Sequence, residues 1–223
     1  MAIDQQTSSP HRAGYTVQAR TRRLTGGGTT GNERLTAVNG AVLIVLLAVI
    51  GLTLLRLRSL LSVHLFVGML LIPPILLKLA STGYRFVRYY THDPAYRRKG
   101  PPPALLRMMA PLMVLSTVVV LASGVALLFV GPSSRDTLLP IHKVSFIIWG
   151  VIFVLHVLGH LVELPSALRA DYSPSARLTG DVTGRSGRTL ALSGALVAGV
   201  VLAILVIPEF GPWLHNADLF HHH

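Results

Sequence analysis

Apolar runs of about 20 residues recur five times along this chain, each bounded by polar, glycine or proline residues. A run of that length crosses the hydrocarbon layer as a helix, because every backbone polar group is then paired within its own segment. The runs predict membrane spans near Ala37 to Leu55, Leu60 to Ala80, Met108 to Val130, Leu139 to Val162 and Leu190 to Ile207. The expected fold is therefore all-α, an integral membrane bundle of about five transmembrane helices. Residues 1–36 are polar and rich in Gly, Thr and Ser, and Arg22-Arg23 is followed by Gly26-Gly27-Gly28 rather than by an apolar run. That argues against a cleaved signal peptide and for a flexible cytoplasmic tail. Residues 37–208 form the membrane domain, and 209–223 a short extracytoplasmic tail whose closing His221-His222-His223 is native or a purification remnant.

Composition agrees with this reading: 51% of residues are hydrophobic, 13% are charged, and the mean hydropathy is +0.58, too apolar for an ordinary soluble domain. Charge then orients it. Of the 20 Lys and Arg, only Arg56, Arg58, Arg135 and Lys143 fall on the side reached by the turns after the first and third spans. The rest collect in the N-terminal tail and around the loops 81–107 and 163–188. Lys and Arg accumulate in cytoplasmic loops, so the N-terminus is expected inside a cell membrane and the C-terminus outside. A net charge of +11 can signal nucleic acid, but here the charges flank apolar spans and build no recognition helix, so anionic lipid headgroups are the expected partner. The stretch from Arg85 to Pro103 reads as an amphipathic extension of the second span followed by a stiff turn, with Tyr84, Tyr89 and Tyr90 at headgroup level.

There is no cysteine, which excludes thiolate metal sites, iron–sulfur clusters and disulfides. Histidine is the remaining candidate ligand. His11, His92 and His215 lie outside the spans, whereas His64, His142, His156 and His160 lie within them, where ionisable side chains usually face a cavity, a partner or a cofactor. The second and fourth spans run in the same direction, and His64 and His142 fall at nearly the same depth. Two neutral imidazoles at one level on neighbouring helices can supply both axial ligands of a haem iron. Gly68 and Gly124 would leave room for a flat macrocycle, and Pro140 would fix the start of the helix bearing His142. His156 follows His142 by fourteen residues, about 21 Å along a helix, which is the spacing of one haem per leaflet.

With these residues the chain resembles the multi-helix membrane b-type cytochromes, including the cytochrome b561 and formate-dehydrogenase gamma-subunit groups. The segments His64-Leu-Phe-Val-Gly-Met-Leu-Leu-Ile-Pro-Pro and Ile141-His-Lys-Val-Ser-Phe-Ile-Ile-Trp, with His156-Val-Leu-Gly-His, are also similar to small actinobacterial cytochrome b/b6-like proteins associated with molybdopterin oxidoreductases. The likeness covers roughly residues 37 to 165. It implies a four-helix haem-binding core, one haem b with a second at His156, exchange of electrons with quinone, and an extracytoplasmic molybdopterin-type oxidoreductase partner. It also implies a second histidine about fourteen residues after His64, where this chain has Lys78. Lys78 is open to three readings: an unusual ligand, a partner for a haem propionate, or a side chain that snorkels to the interface.

Two other classes stay open. His156, His160 and Glu163 lie on nearly one helical face and could bind zinc or non-haem iron, which would make a metal-dependent membrane protein. Alternatively the histidines only hydrogen-bond neighbouring helices, and the chain is a cofactor-free scaffold or accessory subunit. The sequence holds no nucleophile elbow, phosphate loop or His-Glu-x-x-His motif, so the chain is expected to transform little by itself. Pro73-Pro74 predicts a bend in the second span. The sequence does not fix the oligomeric state.

Overall fold

The computed structural model of the protein describes residues 28–98, 100, 104–161 and 185–215. Among them every regular element is helical, and five helices are long and apolar enough to span a membrane. These are α1 (Gly28–Leu54), α2 (Leu57–Tyr90), α4 (Ala104–Val130), α5 (Arg135–Leu161) and α6 (Arg185–Leu205). The short helices are α3 (Pro94–Arg98) and α7 (Gly211–His215), and 3₁₀ turns occupy Pro132–Ser134 and Ile207–Phe210. The helices start earlier than the apolar runs. α1 begins at Gly28, inside the stretch expected to be tail, and α5 at Arg135, so Pro140 sits in its second turn and not at its start.

Two antiparallel hairpins organise the bundle. A two-residue turn joins α1 to α2, and the 3₁₀ turn joins α4 to α5. Polar contacts reveal both registers. Asn32 Nδ2 donates to the Ser81 carbonyl, Lys78 Nζ to the Thr36 carbonyl at 2.7 Å, and Asn39 Nδ2 to the Pro74 carbonyl at 2.9 Å. In the second hairpin, Trp149 Nε1 donates to Thr117 Oγ1 at 3.1 Å. α6 packs closely on α2, while α2 and α4 meet only lightly, so the hairpins are separate slabs with α6 laid on the first. The turns within the hairpins lie at the same end of the bundle as α7, where Leu61, Leu127, Leu128, Phe210 and Trp213 share a core. This end is called the C-terminal face below.

α2 is 34 residues long, about 51 Å, well beyond a hydrocarbon layer of about 30 Å. The expected extension is thus continuous helix to Tyr90. It stops at a Schellman turn in which His92 takes the left-handed conformation (φ 65°) and Asp93 N–H donates to the Arg88 carbonyl. Asp93 then caps α3 by accepting from Ala95 N–H and pairs with Arg88 at 2.6 Å.

Pro73 and Pro74 do not break α2, whose one non-helical residue is Leu60 (φ −114°, ψ 18°). Instead Pro74 removes the N–H that would bond the Leu70 carbonyl. α6 uses that opening: Gly199 stands so close that any Cβ there would collide with the Leu70 oxygen. A glycine is required, and the two backbones meet in the close approach that small residues allow in membranes.

Candidate functional site

His64 is the eighth residue of α2 and His142 the eighth of α5, so each lies seven residues past its helix start, about 10 Å along parallel axes. Both line one cavity of about 190 Å³ between the hairpins. The expectation that the two rings share a level and face a common space agrees with this arrangement. The other walls are almost wholly apolar, among them Leu61, Leu65, Leu121 and Phe146, with Trp149 deeper in and Trp213 at the C-terminal face.

Each imidazole is held by the other helix of its own hairpin. His64 Nδ1 lies 2.8 Å from Thr53 Oγ1 of α1, and Thr53 gives its hydroxyl proton to the Ile50 carbonyl. With its own proton given to Ile50, the hydroxyl is free to accept from Nδ1–H, the tautomer that leaves a lone pair on Nε2. His142 repeats the pattern. Its Nδ1 lies 3.0 Å from Ser123 Oγ of α4, whose own proton goes to the Val120 carbonyl. Ser145 Oγ donates to the His142 carbonyl and sits 3.3 Å from Ser123 Oγ, so it competes for neither ring nitrogen. Histidines that ligate metals characteristically donate their second ring N–H in this way, which fixes ring and tautomer.

The glycines divide. Gly68 lines the cavity with Ile50 Cδ1 as its nearest neighbour at 3.8 Å. Gly124 makes room for the His142 ring itself, since a Cβ there would stand 3.0 Å from Cε1.

The remaining predicted site residues lie elsewhere. Lys78 reaches across to α1, bonded to Thr36 and packed against Gly40, and neither it nor His156 lines the cavity. His156 is half-buried on α5. The side chain of His160 and all of Glu163 lie outside the described residues. No group of three or more His, Asp or Glu side chains converges among the described residues. Thr53, Ser123 and Trp213 carried no signal as site residues in the sequence. For the two hydroxyls the signal is the hairpin register, which sets Thr53 opposite His64 and Ser123 opposite His142.

Comparison of the chain with known protein families, curated proteins and solved structures returns no match.

Proposed function

We propose that this chain is a membrane-bound b-type haem protein whose task is electron transfer, with one haem between His64 and His142. One observation carries the reading: two imidazoles at equal depth on parallel helices line a single apolar cavity, each with its Nδ1 within hydrogen-bond distance of a hydroxyl on the neighbouring helix. With Nδ1 donating to its hydroxyl, each histidine would offer an Nε2 lone pair, the donor that a low-spin haem iron takes on both faces. The residues fit the group: two nitrogen donors, an apolar wall and a slot between separately built slabs.

A haem bound there would supply a reversible one-electron couple. The chain's own part is to orient the ligands through Thr53 and Ser123, to exclude water with leucine and aromatic side chains, and to set the potential through that low-polarity wall. A second haem at His156 is left out of the proposal, because Lys78 is engaged by α1. The charge asymmetry supports an orientation in which the C-terminal face is on the extracytoplasmic side of the cell membrane. The electron partner is then quinone in the bilayer or an extracytoplasmic oxidoreductase docking over the haem.

An absorption spectrum of the purified protein tests this. A Soret band and split alpha and beta bands after dithionite are expected, and His64→Ala or His142→Ala should each abolish the low-spin spectrum. A colourless protein that also fails to take up added haem would refute the proposal and leave a scaffold. Zinc or non-haem iron without haem would favour the metal-dependent class.

A further inference from the structure

The last turns of α2 expose apolar side chains where a helix end in water would be polar. At 34 residues the helix is about 51 Å long, and at ordinary tilts of roughly 0–40° it covers about 39–51 Å of depth, more than the hydrocarbon layer of about 30 Å. Arg56 and Arg58 mark the start of α2 as one surface, so the excess falls on its last turns, at the end opposite the C-terminal face, which stand in the headgroup layer. There Phe86 is 60% exposed and Val87 55%. Val87 and Tyr90 continue a stripe of exposed residues, Leu76, Ala80 and Gly83, at steps of four and three, so one side of α2 stays open from hydrocarbon depth to the helix end.

α4 starts at the same end and carries a stripe of its own, the exposed Met108, Leu112, Leu115 and Val119. The two stripes come together at one contact: Arg107 Nη2 donates to Tyr90 Oη, and the guanidinium lies over the Tyr90 ring, 5.6 Å from its centroid. Arg107 is exposed and has no carboxylate partner among the described residues, and the same holds for Arg97 and Arg98 on α3. Glu33 and Asp93, the described acids at this end, are paired with Arg85 and Arg88. Unpaired guanidinium at headgroup depth, above two apolar stripes, complements a diacyl lipid with a negative headgroup, since the guanidinium fork matches a phosphate and surplus basic charge selects anionic lipid. We propose that an anionic phospholipid binds here, its phosphate on the Arg107 N–H groups that Tyr90 leaves over and its chains along the α2 and α4 stripes. None of these residues lines the cavity of His64 and His142, so the site stands apart from the haem reading.

Native mass spectrometry of the full-length protein, titrated in detergent with dioleoyl phosphatidylglycerol or dioleoyl phosphatidylcholine, tests the site. The anionic lipid should bind at least about fivefold tighter, the contribution of one basic residue at a charged membrane surface. Arg107→Gln should weaken binding of the anionic lipid by about fivefold and of the zwitterionic lipid by less than about twofold. Arg56→Gln removes the same charge at the opposite end and should change neither. Because a substitution can act through packing, a second readout uses unaltered protein. Phosphatidylglycerol should protect Arg107 from modification by phenylglyoxal, whereas phosphatidylcholine and excess inorganic phosphate should not. Equal affinities for the two lipids, equal losses in Arg107→Gln and Arg56→Gln, or an Arg107 that reacts freely with the anionic lipid bound would overturn the proposal. Protection by inorganic phosphate alone would overturn it too, by making the ligand a free anion. A haem spectrum is untouched by any of these outcomes.

Discussion

The two hairpins solve the same problem differently. In the first, polar side chains run nearly the whole length of the α1–α2 seam: Asn32 to Ser81, Thr36 to Lys78 and Ser81, Asn39 to Pro74, Thr53 to His64. α6 is then clamped onto α2 where Pro74 has freed the Leu70 carbonyl. In the second, the polar contacts across the seam include Thr117–Trp149 and Ser123 with His142 and Ser145, near the middle. The outer side of α5 is covered by none of the described residues: Val144, Ile147, Val151 and Leu158 are all more than half exposed, Ile147 at 63%. The difference separates two uses of polarity in a membrane. Along α1–α2 the polar side chains tie one helix to the other over most of their length, whereas in the second hairpin they gather about the His142 ring beside the cavity.

The largest contrast should come from glycines. Gly199→Ala drives a methyl into backbone that cannot step aside, so a loss toward the upper end of about 1–3 kcal/mol is expected. A methyl added at Gly150 on α5 would meet nothing within 4 Å, and Gly150→Ala should be neutral or gain up to about 1 kcal/mol from helix propensity. Thermal unfolding in detergent distinguishes them, and equal midpoints would contradict the picture of one clamped and one open slab.

Gly124→Ala should act on the site more than on the fold. The new methyl forces the His142 ring to move by a few tenths of an ångström, which disturbs its contact with Ser123. Haem affinity is expected to fall about tenfold, about 1.4 kcal/mol, with the unfolding midpoint nearly unchanged. Unaltered affinity would mean that the ring position is not set by this contact.

How much of this was legible in the sequence follows from which quantities a helix fixes by itself. Rise per residue does not depend on neighbours, so the common depth of His64 and His142 could be counted. Hydropathy likewise found the five spans, though not their ends: the first turns of α1 and α5 are polar and still helical. Thr53, Ser123 and Asn39 depend instead on the register between helices, and an apolar seam carries no mark of register. Trp213 lies beyond the last span, in a helix of five residues that composition alone would assign to a tail. Lys78 was legible as an anomaly, but its partner is a backbone carbonyl, which no residue pattern announces.

Lys78→Met probes the closed seam. It removes the bond to Thr36 and relieves the chain of a charge, so stability should change by no more than about 1 kcal/mol, within the range of interhelical hydrogen bonds in membranes. The absorption spectrum should be unchanged. A loss of low-spin character in this variant would make Lys78 a ligand after all.

The smallest effect is the most specific to the comparison. Thr53→Val keeps the shape of the side chain but deletes the acceptor for His64 Nδ1–H, and Ser123→Ala does the same for His142. An imidazole that donates through Nδ1 is the more basic ligand and favours the ferric iron. Losing the bond therefore raises the midpoint potential. If each bond contributes about 0.5–1 kcal/mol, the one-electron shift is about 20–40 mV upward for either variant. With one haem iron held as proposed, both hydroxyls would act on it through equivalent bonds, so the two shifts should be alike and the double variant should approach their sum. A shift confined to one variant, measured by redox titration of the alpha band, would mean that the hairpins present their histidines unequally.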